Sequence, residues 1–122
     1  HAVQANIVEL RAQGHETVAA ELEHALSDPW TEEGIEAAFG MMAEWSERHR
    51  RPVVVNEFGA LTFVAPRESR LEWLAAVSRQ AAAHCIGWTH WDFQDGFGLI
   101  DPDSGLPDPG VVQALIPATQ DY

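Results

Sequence analysis

Residues 51–59, RPVVVNEFG, carry the side chain that is best placed in this sequence to do chemistry. Three valines run into Asn56 and Glu57 and stop at a glycine, which predicts a short buried strand over Val53–Glu57. Because desolvating a carboxylate is costly, a carboxylate at the end of such a strand indicates a function. Parallel barrels place their catalytic groups at the C-terminal ends of strands, so Glu57 is the first candidate.

A second predicted strand, Ile86–Trp91, ends in an aromatic run. Alternation places Gly87, Thr89 and Trp91 on one side, and Trp91 is the last of the three. If that side lines a barrel interior, Trp91 stands at its mouth. An indole face stacks well on the apolar C–H face of a sugar ring. A carboxylate beside it can attack or stabilise a developing oxocarbenium ion, so the two strand ends together predict a saccharide site.

Each of these residues also has a purely structural interpretation. Glu57 could be a solvated charge at a strand end, and Trp91 could be a core residue, since tryptophans are mostly buried. The combination of the two favours a functional role for both. Asn56 stays open between a sugar contact and a cap of the following loop, because alternation points it away from Glu57.

The elements that must position these residues follow from the spacing of apolar side chains. This spacing predicts helices over residues 2–26, split near Gly14, and over about 32–49, 67–84 and 108–115. Strands alternating with such helices indicate βαβ units and parallel pairing, so the fold class is α/β. Two parallel strands cannot cover both faces of a sheet, so the pattern is that of a larger sheet or barrel.

Alternation also assigns residues to the packed side of the second strand. Trp88, His90 and Asp92 are predicted to point away from Trp91, with Trp88 packed under a helix. A catalytic role for Asp92 is not favoured. The tryptophans in or beside helices are predicted to be packing residues; they are Trp30, Trp45 and Trp73.

From about Glu32 to Pro117 the sequence resembles glycoside hydrolase family 5, the cellulase-type family. The motif PVVVNEFG is similar to the seventh strand of that family. The motif GWTHWDF, at a family-like distance, is similar to the eighth strand with its sugar-stacking tryptophan. The segment DGFGLID and the short final helix resemble the usual ending of the family. A lone NEFG would be a weak signal, whereas the combination is specific.

The resemblance implies that residues 1–122 form the C-terminal βα units of a TIM (β/α)8 barrel, present as a partial barrel, with the helical segment 1–30 less securely placed. It implies retaining hydrolysis of β-linked glucans by a cellulase or endo-β-glucanase. Glu57 would be the nucleophile and Trp91 the aromatic platform, with Asn56 as a further substrate contact. No metal or organic cofactor is implied. A β-mannanase or β-glucosidase of the same clan is the alternative.

The sequence departs from the family in its second carboxylate. Retention requires two carboxyl groups about 5 Å apart. In the family the acid/base comes from an Asn-Glu pair on the fourth strand, and Asn56-Glu57 is the only such pair here. We therefore expect the chain alone to be inactive and to need the N-terminal part of a barrel as its partner. A carbohydrate-binding or self-associating partial barrel is the non-enzymatic alternative.

Composition limits the partners further. The net charge of −12 argues against nucleic acid and anionic membranes as partners and fits a neutral oligo- or polysaccharide. No signal peptide is visible, so a secreted or periplasmic location is expected from the substrate class alone. Cys85 is the only cysteine and is predicted to pack as a small apolar side chain. The acidic residues around Asp101 are predicted to form solvated turns and not a calcium-binding loop.

Overall fold

The computed structural model describes residues 2–27 and 30–117, which divide into two compact units, His1–Thr31 and Glu32–Tyr122. The first unit holds helices α1 (Ala2–Ala12) and α2 (Glu16–Ser27). Gly14 separates them with a φ of +82°, a left-handed conformation that glycine adopts without steric cost. The predicted split of the N-terminal helix is thereby confirmed.

The second unit alternates helices and strands. Its elements are α3 (Glu32–His49), β1 (Val54–Phe58), α4 (Arg67–Ala83), β2 (Gly87–His90) and α5 (Pro109–Leu115). The two strands pair in parallel, so the predicted α/β class and the parallel pairing are confirmed. None of the helices in the described chain has the length and apolarity needed to cross a bilayer.

The core of the second unit lies on one face of this sheet, between the strands and helices α3, α4 and α5. Leu74 of α4 and Val111 of α5 are completely buried there. Phe58 meets Trp88 edge to face, with ring centroids 5.4 Å apart, and lies 6.0 Å from Trp73. Such aromatic pairs add about 0.5–1.5 kcal/mol to simple area burial. The packing roles predicted for Trp88 and Trp73 are therefore confirmed.

Two of the tryptophan predictions are wrong. Trp30 is 71% exposed, because it follows α2 in an irregular segment where no helical face holds it. Trp45 is 48% exposed and stacks on His49 of its own helix, at 4.7 Å between ring centroids. It borders an open apolar groove of about 540 Å³, which is otherwise lined by Ala38, Met41, Met42 and Val53.

The prediction for Cys85 is also wrong, since its side chain is exposed. Cys85 has a φ of +54° at the end of α4, where the chain turns back toward the sheet. The N–H of Ile86 donates to the carbonyl oxygen of Ala81 at 2.9 Å across this turn. The reversal directs Cys85 outward, and Ile86 enters the core in its place, at 5% exposure.

The long loop between β2 and α5 is organised by two aspartates. Asp101 accepts hydrogen bonds at 2.8 Å from the backbone N–H and the hydroxyl of Ser104, which confirms the predicted turn chemistry. The Ser104 backbone bond is the main reason why the pKa of Asp101 is lowered. Asp108 caps α5 by accepting from the N–H of Gly110 at 2.8 Å, and it pairs with Arg67 at 2.7 Å.

Candidate functional site

A β-bulge near the end of β1 decides where Glu57 points. Val55 pairs with Trp88 and Phe58 with His90, so Asn56 and Glu57 together oppose the single residue Thr89. A bulge of this kind re-aims side chains and is common beside active sites. Phe58 consequently takes the place on the core side that strict alternation would have given to Glu57.

Because of the bulge, the side of the sheet that alternation predicts for Glu57 is wrong. Val55 packs against the core, whereas both Asn56 and Glu57 are exposed. Val54 is 60% exposed, so the strand is half-buried instead of buried on both faces as predicted. The reason is that, in the described chain, helices cover only the other face of the sheet. Glu57 is exposed because the bulge adds one residue to β1; regular alternation would have placed it on the core side.

Trp91 directly follows β2, at the same end of the sheet as Glu57. Its backbone N–H donates to the carbonyl oxygen of Phe58 at 2.8 Å, which extends the pairing beyond the end of β2. Its side chain is 51% exposed, so it is not a core residue of the described chain. The sheet thus delivers an exposed carboxylate and a half-exposed indole from adjacent strand ends.

Gly59 allows this close approach. A Cβ atom placed on Gly59 would collide with the backbone oxygen of Trp91 and would lie 3.0 Å from the ring of Phe97. The loop after β1 is then tied to the loop after β2, because the N–H and the hydroxyl of Thr62 both donate to the carbonyl oxygen of Gly96, at 2.8 and 2.9 Å. The two strand ends are therefore joined by backbone bonds on both sides of Gly59.

Behind Trp91, on the core side, lies a polar cluster. His90 is half-buried with its ring edge-on to Phe58, at 5.8 Å between centroids, as its predicted outward direction requires. His90 interacts electrostatically with Asp92 and Arg70, and Arg70 is only 6% exposed. The sequence pattern did not indicate that Arg70 is buried, although Arg70 lies four residues before Leu74 on the same face of α4.

Burial makes the stability of the second unit depend on the protonation of His90. Desolvation lowers the pKa of His90 below its ordinary value of 6.5, Asp92 opposes this shift, and Arg70 reinforces it. The unfolded chain then binds the proton more readily than the folded chain. The contribution of neutral His90 is complete above the unfolded pKa and is lost as the pH falls from there toward the folded pKa.

We therefore expect the melting temperature to fall as the pH is lowered below about 6.5, and to fall less in a His90→Gln variant. Thermal denaturation at several pH values checks this. His24→Gln, at an exposed position of α2, is the matched control and should keep the wild-type pH dependence. Identical pH profiles for the wild type and His90→Gln would contradict the assignment.

In the described part of the chain, no three His, Cys, Asp or Glu side chains converge in a way that could hold a metal ion. The chemistry that the site offers comes from one carboxylate, one amide and one indole. Parallel α/β barrels carry their catalytic groups at the C-terminal ends of strands, and glycoside hydrolases use carboxylates as such groups.

Comparison with known proteins identifies the class more narrowly. No protein-family model matches the sequence. Endoglucanase 3 of Fibrobacter succinogenes is 38% identical over 58 residues, which are 48% of this chain and 9% of that protein. The solved endoglucanase Cel5A of Thermotoga maritima matches 73% of this chain and 28% of its own, with a TM-score of 0.66 and 31% identity. A Bacteroidetes-affiliated GH5 cellulase matches 73% of this chain and 26% of its own, with a TM-score of 0.57 and 26% identity.

These matches confirm the resemblance to glycoside hydrolase family 5 and to its TIM barrel. The similarity fits the C-terminal portion of the barrel, and the chain spans less than a third of the matched structures and 9% of the curated relative. The similar proteins are endoglucanases, and Cel5A has been solved with cellobiose and with mannotriose.

Proposed function

We propose that this chain supplies the nucleophile-bearing end of a retaining endo-β-glucanase. Glu57 attacks the anomeric carbon of a β-linked glucosyl unit, and the bond to the leaving oxygen breaks as the glycosyl-enzyme ester forms. Trp91 stacks on the sugar face, and the amide of Asn56 binds a hydroxyl group. The observation that carries the proposal is the bulge, which exposes Glu57 beside the strand end that carries Trp91.

The electrostatics of the chain suit a neutral substrate. A net charge of −12 repels anionic polymers but has little effect on an uncharged glucan. The indole supplies binding that requires no charge, and Glu57 is exposed where a sugar could reach it. Positive charge developing at the anomeric carbon is then stabilised by the same carboxylate that attacks it.

The acid/base is proposed to come from barrel strands outside this chain. A second carboxyl group has to stand about 5 Å from Glu57 to protonate the leaving oxygen and then to activate water. The exposed side of β1, marked by Val54 at 60% exposure, is the side that further strands would cover. The matched segment is only 28% of Cel5A, which leaves room for the further strands in the complete barrel.

Trapping of the glycosyl-enzyme tests the proposal. The probe is dinitrophenyl 2-deoxy-2-fluoro-β-cellobioside, whose leaving group needs no acid and whose fluorine slows the release of the intermediate. The host is a hybrid barrel, in which the matched segment of Thermotoga maritima Cel5A is replaced by the corresponding residues of this chain. We expect mass spectrometry of peptides to find one fluorocellobiosyl group, attached to Glu57.

Two comparisons sharpen the trapping experiment. The 122-residue chain alone should hydrolyse no unmodified glucan, because it lacks the proton donor for the leaving group; efficient hydrolysis would refute the external acid/base. A label on any carboxylate other than Glu57 would refute the nucleophile.

A further inference from the structure

Both strands of the sheet border an apolar hollow. Among the described residues β1 and β2 pair only with each other, so each strand keeps one free edge. The open groove of about 540 Å³ is lined by α3 and by Val53, which directly precedes β1. A second cavity, of about 230 Å³, borders β2. Because parallel sheets are covered on both faces and their edges are rarely left open, the two hollows mark surfaces that further elements would cover.

The cavity beside β2 lies between that strand and α5. Its lining comes from β2, the loop that follows β2, α5 and the residue after α5, and it includes no described residue of β1, α3 or α4. The cavity therefore lies on the side of β2 that faces away from β1. Three apolar side chains of its lining are exposed, namely Phe93 at 66%, Val112 at 37% and Ile116 at 69%. Contiguous exposed apolar groups of this kind are typical of an interaction surface.

Two polar side chains distinguish this cavity from the groove. His90 and Asp92 both line the cavity, whereas no ionisable side chain lines the groove. The Nε2 atom of His90 and the Oδ1 atom of Asp92 are buried and have no hydrogen-bond partner among the described residues. Buried polar groups in native proteins are almost always hydrogen-bonded, so the wall of the cavity needs a partner from outside. A carboxylate turns easily about its last torsion, so a group that enters the cavity can meet an oxygen of Asp92.

We propose that this cavity is the docking surface for a further βα unit of the barrel, lying outside this chain, and that this unit inserts a hydrogen-bond donor beside Asp92. The strand of that unit pairs with the free edge of β2, and its apolar side chains cover Phe93, Val112 and Ile116. Because an ionised carboxylate only accepts hydrogen bonds, the inserted side chain carries an N–H or O–H group. The unit that covers the groove beside β1 needs no such group.

The melting temperatures of two proteins, the 122-residue chain and the hybrid barrel, test the docking surface. Ile116→Glu places a charge on the apolar rim of the cavity. It should shift the melting temperature of the chain alone by no more than about 1 °C and lower that of the hybrid by about 5 °C or more, because only the hybrid buries the charge. The control is Leu106→Glu, at a residue that is 64% exposed and does not line the cavity; it should leave both temperatures unchanged. Equal effects of Ile116→Glu in the two proteins would overturn the docking surface.

Asp92→Leu tests the inserted donor. In the hybrid this substitution leaves the incoming donor buried without its acceptor, whereas in the chain alone no such donor is present. It should therefore lower the melting temperature of the hybrid by about 5 °C more than it lowers that of the 122-residue chain. Equal losses in the two proteins would overturn the inserted donor.

Association of separate chains provides a second measurement. The 122-residue chain is co-expressed with the remainder of Cel5A, and the two should co-purify. Ile116→Glu should abolish co-purification, and Leu106→Glu should preserve it. Wild-type parts that neither form a folded hybrid nor co-purify would overturn the inference. A stable dimer of the 122-residue chain that Ile116→Glu dissociates would also overturn it, because a second copy would then occupy the cavity.

This inference and the proposed function share only the barrel strands outside the chain, and they fail in different experiments. Docking is measured by stability and association, which require no substrate. A fluorocellobiosyl label on a carboxylate other than Glu57 would refute the proposed nucleophile and leave the docking surface unaffected.

Discussion

Replacing Glu57 by alanine in the hybrid barrel should reduce turnover of cellotetraose by about 10⁵-fold or more. In the proposed mechanism the variant lacks the group that forms the glycosyl-enzyme, so the reaction loses its covalent route. Glu57→Gln keeps the shape and hydrogen-bonding capacity of the side chain and should lose activity to a similar extent while retaining sugar binding. The measurement is the steady-state kinetics of each variant, together with its affinity for cellotetraose.

Chemical rescue distinguishes a nucleophile from an acid/base. In Glu57→Ala, azide can enter the space of the missing carboxylate and attack the anomeric carbon of an activated aryl β-cellobioside. We expect azide to restore activity and to give an α-configured glycosyl azide, because one displacement inverts the centre. A β-configured product would show that Glu57 is instead the acid/base, since the nucleophile would then still be present.

A matched carboxylate controls for loss of charge. Glu68 is exposed in the first turn of α4 and is not part of the proposed site, so Glu68→Ala should leave turnover unchanged. Turnover of Glu57→Gln near the wild-type level would refute the catalytic assignment directly. A loss in both variants would point to stability instead, which thermal denaturation of the same samples measures.

The second large effect is expected at Gly59. Its replacement by alanine drives a methyl group into the backbone oxygen of Trp91, and neither backbone can yield without breaking the bond between Trp91 and Phe58. We expect a loss of unfolding free energy of about 3 kcal/mol or more, at the upper end for overpacked sites. The indole should be displaced together with the backbone, so binding of cellotetraose should also weaken.

The same substitution at Gly40 is the control. Gly40 lies inside α3, and no atom lies within 4 Å of a Cβ atom placed there. Alanine is a better helix former than glycine by about 0.5–1 kcal/mol, so Gly40→Ala should stabilise the unit. Glycine-to-alanine replacement is therefore expected to raise the unfolding free energy at Gly40 and to lower it at Gly59, and urea denaturation of both variants measures this. Equal effects at Gly40 and Gly59 would contradict the steric argument.

The sequence was sufficient for the elements and for the family resemblance, because both depend on short-range patterns. The valine triplet predicted β1 and the apolar stripe through Leu74 predicted α4, each to within one or two residues of its observed bounds. The combination of NEFG with GWTHWDF carried the resemblance that the comparisons confirm. These signals are local, so a single sequence contains them.

What the sequence could not provide depends on contacts between distant segments. The side on which Glu57 lies follows from a register change against β2, and periodicity within β1 alone gives the opposite answer. The burial of Arg70 depends on what the end of β2 brings against α4. The exposure of Trp45 depends on the absence of a covering element in the described chain, which no helical pattern reveals.

The bulge in β1 also has a consequence for spacing along the chain. In a regular strand, successive side chains serve opposite surfaces, so two groups on one surface are two residues apart. The extra residue places an amide and a carboxylate, Asn56 and Glu57, on consecutive positions that are both exposed opposite Thr89. In the proposed site, the hydrogen-bonding group and the attacking group would therefore stand on neighbouring residues, whereas a regular strand would separate two groups on one surface by an intervening residue.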